Sequence, residues 1–324
     1  MTTVVLADSD FADTELERQE LADADVQLVL SSGSTVDAIA GAAPDAEGLL
    51  VQWAPVGAAL FDRLARLRVV GRYGTGVDTI DVDEATRRGI AVVNSGHYAT
   101  DEVAAHAIAL ILALVRRVCA LDRSVREGRW EPLEHSAGIR RLSAMRAGVI
   151  GLGHIGARVA SHLQHLGFSV IGYDPMPTTA SVDQAATLTE LLSNSDVVTV
   201  HVPLTDSTAH LIDAAELGCM PSHALLVNTS RGGVVSEPAL ISALEEGRLS
   251  GAALDVFELE PLDSSSPLRA MTNVILTPHV AYYSVEALEE ARRRTVRGVL
   301  AVLRGASPEE LVNDPTLAAR AAGR

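Results

Sequence analysis

Short apolar runs alternate with longer stretches of helical spacing through the first hundred residues. Thr3–Ala7, Val26–Leu30, Gly48–Gln52, Val69–Arg72 and Ile90–Asn94 read as strands. Segments such as Thr14–Asp23 and Thr35–Ala42 between them read as helices. Strands that alternate with helices imply βαβ units and a parallel sheet. At Asp101 the pattern changes to one long helix, Asp101–Val118, with acidic residues at its start and an arginine pair near its end. Its apolar surface is too broad for an exposed amphipathic helix, so burial against another domain or subunit is expected. A second alternating series follows, with strands at Ala147–Gly151, Ser169–Tyr173, Val197–His201, Leu225–Asn228, Gly251–Asp255 and Val274–Thr277. Six strands with helices between them match a full dinucleotide-binding sheet. A charged helix after Tyr283 ends at Gly305.

The second series opens on a glycine pattern. Gly151, Gly153 and Gly156 form GLGHIG between an apolar strand and a helix. In that context the first glycine permits the turn, the second lets backbone approach a pyrophosphate, and the third lets the helix pack close. The helix start, including His154 and Ile155, then offers amide donors and a positive dipole end. Asp174 closes the next strand, about 20 residues on, where an acid accepts hydrogen bonds from the adenosine ribose. The same carboxylate repels a 2′-phosphate, and no arginine follows it, so NAD is expected over NADP.

Composition narrows the chemistry. The 324 residues suit two domains, and with aromatics at 3% the core must be aliphatic. The formal charge of −16 disfavours nucleic acid and anionic membranes as partners. The sequence contains no lysine, which excludes Schiff-base and P-loop chemistry. Cys119 and Cys219 lack metal-ligand spacing and read as small buried hydrophobes, and no metal site is expected. There is no basic, apolar leader, and the longest apolar stretch, Val103–Val115, is too short to span a bilayer. A cytoplasmic protein is expected.

Three segments just past strands of the second series carry candidate chemistry, on the edge where such sheets place ligands. In NTSRGG, Arg231 is flanked by glycines, and in a chain without lysine its planar fork is the side chain left to clamp a carboxylate. DVFELEP brings several carboxylates, including Asp255 and Glu260, and TPH brings His279. Of the other histidines, His162 and His165 read as helix-surface residues and His106 as a helix packing residue. His97, His135, His210 and His223 have no motif around them.

GLGHIG with Asp174, then NTSRGG, DVFELEP and TPH in that order resemble the D-isomer-specific 2-hydroxyacid dehydrogenase family, and RYGTGVDTID at Arg72–Asp81 resembles its substrate-side glycine turn. HYATDEVAAHA, the Arg116–Arg117 pair and HVAYYS look most like the family's C-terminal-binding-protein-like branch, which is also phosphoglycerate-dehydrogenase-like. The resemblance implies two doubly wound parallel-sheet α/β domains of Rossmann and flavodoxin type with the cofactor cleft between them. Residues 1–100 plus 288–324 would form the substrate domain and 101–287 the NAD domain. It implies that Arg231 binds the substrate carboxylate and polarises the keto oxygen. His279 would donate the proton, and Glu260 would hydrogen-bond His279 and favour its charged form. Thr75 and Gly76 would offer amides to the carboxylate. Asp255 would face the nicotinamide end, with Thr229, Ser230 and the loop of Val202, Pro203 and Thr205 lining the cofactor's path. Gln52 and Trp53 fall where the family sets side-chain selectivity. Tyr282 stands where the branch has a tryptophan beside the substrate, so that change leaves the substrate's identity open.

The expected activity is reduction of a small anionic 2-keto acid, or the reverse oxidation. Family-like pairing through the Asp101–Val118 helix and the arm after it implies a homodimer. Alternatives are an NAD(H)-sensing corepressor-like scaffold and a phosphoglycerate- or phosphonate-type dehydrogenase, which would need an extra cation for which Arg72 is a candidate. Formate enzymes of the superfamily usually carry glutamine at the place of Glu260, and phosphite enzymes use a lysine that this chain lacks.

Overall fold

The computed structural model describes every residue except 131, 134–135, 177–179 and 314–324. His135 and the end of the expected substrate domain therefore lie outside the described residues. Contacts divide the chain into two units: Met1–Tyr98 with the chain from Ser284 onward, and Ala99–Tyr283.

In the first unit, β1 (Thr3–Leu6), β2 (Gln27–Leu30), β3 (Gly48–Val51), β4 (Val69–Arg72) and β5 (Ala91–Val93) pair in parallel in the order β2-β1-β3-β4-β5. This is the flavodoxin-like order. Helices α1 (Glu15–Ala22), α2 (Val36–Ala42), α3 (Ala58–Arg63) and α4 (Val82–Arg87) fill the crossovers. Both faces of β3 and β4 are buried, which is why those strands read as unbroken apolar runs, whereas edge strand β2 is partly exposed. The helix Val285–Leu303 returns to this sheet and packs on β3, β4 and β5.

The second unit begins with α5 (Thr100–Val115) and α6 (Val118–Arg126). The single helix expected over Asp101–Val118 is thus two helices, bent by 60°. Arg117 sits between them at φ 54°, in the left-handed region, so the helical hydrogen-bond ladder stops there. Among the described residues no single helix is long and apolar enough to cross a membrane. The α5–α6 pair passes by length and composition, but α5 buries seven residues of its apolar face in the protein.

Seven parallel strands follow: β6 (Arg146–Ile150), β7 (Ser169–Tyr173), β8 (Asp183–Gln184), β9 (Val197–Val200), β10 (Leu225–Asn228), β11 (Gly251–Leu254) and β12 (Val274–Leu276). Their order, β12-β11-β10-β9-β6-β7-β8, is the Rossmann order extended by one strand. The six expected strands are present within a residue at each end. The seventh, β8, is two exposed residues and carries no periodic signal. Between the strands lie α7 (His154–His165), α8 (Leu188–Ser193), α9 (Ala214–Cys219) and α10 (Glu237–Glu245), and the final α11 (Val285–Leu303) belongs to the first unit. The expectation of buried cysteines fails for Cys119, which is exposed on α6; Cys219 is half-buried.

Candidate active site

The glycine turn joins β6 to α7. Gly151 has φ 84°, a left-handed conformation that favours glycine, and a Cβ on Gly156 would overlap the Gly151 carbonyl. Gly153 is the N-cap of α7, so His154 and Ile155 form its first turn. Asp174 holds this turn from the end of β7: its Oδ2 accepts from Leu152 N at 2.8 Å and its Oδ1 from Met176 N at 2.9 Å. A carboxylate keeps further lone pairs beyond these two bonds. Beside the turn, Val202 packs on Gly151, and Thr208 ties Pro203 and Thr205 into one loop.

Past β10, Asn228 shapes the arginine loop. Its Oδ1 accepts from Ser230 N and Oγ, and its Nδ2 donates to Arg231 O at 2.9 Å. A Cβ on Gly232 would overlap the Phe257 carbonyl, so this loop lies directly on the one after β11. Thr229 is buried, and its Oγ1 makes no hydrogen bond. An orphaned buried hydroxyl costs about 1–3 kcal/mol.

His279 follows β12 at φ 51°, a strained position for a side-chain-bearing residue. Its amide donates to Asp255 O at 2.7 Å. Its Nδ1 meets Glu260 Oε2 at 2.7 Å. Glu260 Oε1 accepts from Phe257 N at 3.0 Å, which fixes the carboxylate. Burial pushes the Glu260 carboxyl up. The His279 hydrogen bond and charge, the Phe257 amide and the Arg231 charge outweigh it and hold the carboxyl below its ordinary value. The three candidate residues Arg231, Glu260 and His279 are thus electrostatically connected. Tyr282 stands edge-on to His279, with ring centroids 6.2 Å apart.

Asp255, expected at the nicotinamide end, braces the turn that carries His279. It is fully buried beneath the His279 turn, accepting from Thr277 Oγ1 at 2.6 Å, Val280 N at 3.0 Å and Ala281 N at 2.9 Å. His106 reaches the same cluster, with Nε2 3.1 Å from Thr277 Oγ1 and 3.6 Å from Asp255 Oδ1. His106 is therefore more than helix packing. An isolated histidine in an apolar helix gives no sign of this in the sequence.

In the first unit, Gln52 is buried, and its Oε1 accepts from Asp10 N. Asp8 caps the loop by accepting from the amides of Gln52, Trp53 and Ala54. Trp53 Nε1 donates to Asp10 Oδ2 at 2.6 Å, and the Arg72 guanidinium lies 5.7 Å from the Trp53 ring centre. Thr75 is exposed and Gly76 half-buried in the turn after β4, where neither amide donates to a described residue. No metal-ligating group of three or more histidines, cysteines or carboxylates exists among the described residues.

A Rossmann sheet, a glycine turn with Asp174 beside it, and a carboxylate-paired histidine near an arginine define a dinucleotide-dependent oxidoreductase. The chain matches the model of the D-isomer specific 2-hydroxyacid dehydrogenase NAD-binding domain over residues 108–281. It is 39% identical over 275 residues to a glyoxylate reductase of Korarchaeum cryptofilum, covering 83% of each chain. It is 36% identical over 297 residues to a D-3-phosphoglycerate dehydrogenase of Archaeoglobus fulgidus, covering 90% of this chain but 56% of that one. The crystal structure of D-lactate dehydrogenase from Aquifex aeolicus, with NAD and lactic acid, superposes with a TM-score of 0.86 at 30% identity, covering 93% of this chain and 96% of that one. The chain belongs to the D-isomer-specific 2-hydroxyacid dehydrogenase family, and it is an NAD-dependent oxidoreductase acting on CH–OH groups.

Proposed function

We propose that this enzyme reduces a short 2-keto acid to the 2-hydroxy acid, with Arg231, Glu260 and His279 as its working residues. The observation that carries the reading is the His279–Glu260 pair at 2.7 Å with the Arg231 charge acting on the same carboxylate. Arg231 binds the substrate carboxylate and draws electron density from the keto oxygen. Nδ1 of His279 is committed to Glu260, so the proton reaches that oxygen from Nε2. Glu260 stays ionised and stabilises the imidazolium that makes the transfer possible. Thr75 and Gly76 supply amide donors for the carboxylate. Asp255 and His106 hold the His279 turn.

The residues at the glycine turn fit NAD. The amides of the first α7 turn take the pyrophosphate, Asp174 takes the adenosine ribose, and the buried Thr229 hydroxyl gains a partner. The bound cofactor supplies or accepts the hydride. The division of labour follows the two units: residues 1–100 and the C-terminal helix bind substrate, and 101–287 bind NAD. Residues Val118 and Val125 on α6, with Trp130 and Leu133 beyond it, are exposed apolar side chains suited to a second copy of the chain, which supports a homodimer.

The test is NADH oxidation across glyoxylate, hydroxypyruvate, pyruvate, and branched, aromatic and phosphorylated keto acids. Turnover highest on the short, unphosphorylated acids is expected. Preference for a phosphorylated acid would overturn the substrate assignment and leave the residue roles standing.

A further inference from the structure

The turn that carries Thr75 and Gly76 is tied on both sides to a second turn, Asn94–Gly96. On the buried side, Gly74 N donates to Ser95 Oγ at 2.8 Å. Ser95 Oγ lies 2.9 Å from Thr295 Oγ1 on α11, and Thr295 Oγ1 donates to Arg72 O at 3.2 Å. These contacts close a ring from the chain just before Thr75, through the turn after β5 and the C-terminal helix, back to β4. Ser95 and Thr295 have no exposure to water. Two buried hydroxyls add nothing that an apolar pair of the same shape would not, unless the geometry they fix is needed.

On the outer side, Thr75 Oγ1 donates to Gly96 O at 2.6 Å, and Asn94 Nδ2 donates to Thr75 O at 2.6 Å. Asn94 Oδ1 also accepts from Gly96 N at 2.9 Å. The hydroxyl and carbonyl of Thr75 are therefore consumed in holding the turn, whereas its amide donates to no described residue. The second turn is braced in its own right. Gly96 has φ 61°, and the Glu310 carboxylate lies against its α-carbon where a side chain would stand. Glu310 O accepts from Asn94 N at 3.3 Å, and Arg294 NH1 pairs with Glu310 Oε1 at 3.2 Å.

We infer that Ser95, Thr295 and Glu310 are positioning residues for the substrate carboxylate: they act through the Asn94–Gly96 turn to hold the amides of Thr75 and Gly76 in place. The inference rests on the proposed role of those two amides. A displacement of about 1 Å at such a donor pair costs up to about 100-fold in a reaction that depends on orientation. The C-terminal helix and the chain after it are thereby part of the substrate site without touching substrate.

Thr295→Val keeps the shape and removes the hydroxyl, Thr295→Ser restores it, and Glu310→Gln removes the charge from the half-buried brace. Each is read by KM for glyoxylate, kcat, Kd for NADH and Tm. Thr295→Val and Glu310→Gln should raise KM about 10-fold or more, with Kd for NADH within about twofold, and Thr295→Ser should return KM close to the parent value. A loss of Tm with KM unchanged would assign the ring to folding alone and overturn the inference. Gly76→Val, which puts a branched side chain on the amides themselves, separates the two levels. If it raises KM while Thr295→Val and Glu310→Gln do not, the carboxylate role stands and the positioning role fails. If none of the three raises KM, the carboxylate role fails and takes the inference with it. Should Thr295→Val not fold, Glu310→Gln still decides.

Discussion

At the residue scale the proposed chemistry concentrates in His279, whose strained backbone is held by Asp255 and whose ring is held by Glu260. His279→Ala should lower the reduction rate by about 10²–10⁴-fold with NADH binding retained, by single-turnover kinetics and fluorescence titration. Loss of NADH binding in that variant would remove His279 from its proposed role. A second histidine behaves differently. His201, at the end of β9, has Nε2 2.9 Å from Thr199 Oγ1 and a buried Nδ1 without a partner, and burial pulls its pKa down to about 3. The folded protein keeps this ring neutral, whereas the unfolded chain protonates it near pH 6.5. Its contribution to stability is thus complete above pH 6.5 and is lost steadily as pH falls towards 3, by at most about 1.4 kcal/mol per pH unit. His201→Gln should flatten the fall in stability between pH 7 and pH 5, measured by urea unfolding. A slope equal to that of the parent protein would show that the ring is solvated. Glu260 follows the carboxylate sign: its contribution is present above the ordinary carboxylate range and lost as pH falls through its lowered folded value.

The elements of the first unit are joined by a charge that the core cannot solvate. Glu17 on α1 is fully buried and accepts from Arg292 on α11 at 2.8 and 2.6 Å, and it also receives the Tyr73 hydroxyl at 3.3 Å. Arg292 is held above its ordinary value by the Glu17 hydrogen bond, against the opposing effect of burial. Arg292→Leu should cost about 3–5 kcal/mol because it strands the Glu17 charge, whereas Glu17→Leu combined with Arg292→Leu should recover most of that loss. Chemical denaturation of the single and double variants checks both halves, and equal stability of the two would mean that Glu17 finds water. The joint between α5 and α6 is a second element-scale feature. An arginine in the left-handed region pays about 1–2 kcal/mol relative to a right-handed one, so Arg117→Gly should be neutral or stabilising by up to about 1 kcal/mol in the same assay, and a clear loss of stability would show that its side chain matters more than its backbone.

Across the whole chain, the sites follow from sheet topology. In the second unit every candidate group stands after the carboxyl end of a strand: Gly151 after β6, Asp174 after β7, Thr229 and Arg231 after β10, Asp255 after β11 and His279 after β12. Such positions are legible because a parallel strand buried on both faces reads as an apolar run, and the loop after it begins where the run ends. The short motifs were equally legible, since glycine turns and the order of Arg231, Glu260 and His279 are local in sequence. Other features were not. Ser95 and Thr295 meet across 200 residues, and Asn94 and Ser95 stand in a segment with no motif of their own. His106 and Thr277 meet across 171 residues, and the break at Arg117 lies inside a run whose helical periodicity continues past it.

The sequence by itself determined the strand–helix alternation, the glycine turn, the absence of lysine chemistry and the identity of the arginine, glutamate and histidine, because each is written in neighbouring residues or in composition. The tertiary structure decided what those residues are held by. It put Asp255 under the His279 turn, committed Gln52 to Asp10, left the Thr229 hydroxyl without a partner and brought a C-terminal helix to brace the Thr75 turn. The physical reason is one of range. Periodicity and backbone propensity act over a few residues and are visible along the chain. The hydrogen bonds of a buried polar group are chosen by whatever the packed fold places within about 3 Å, and that choice exists only once the fold has formed.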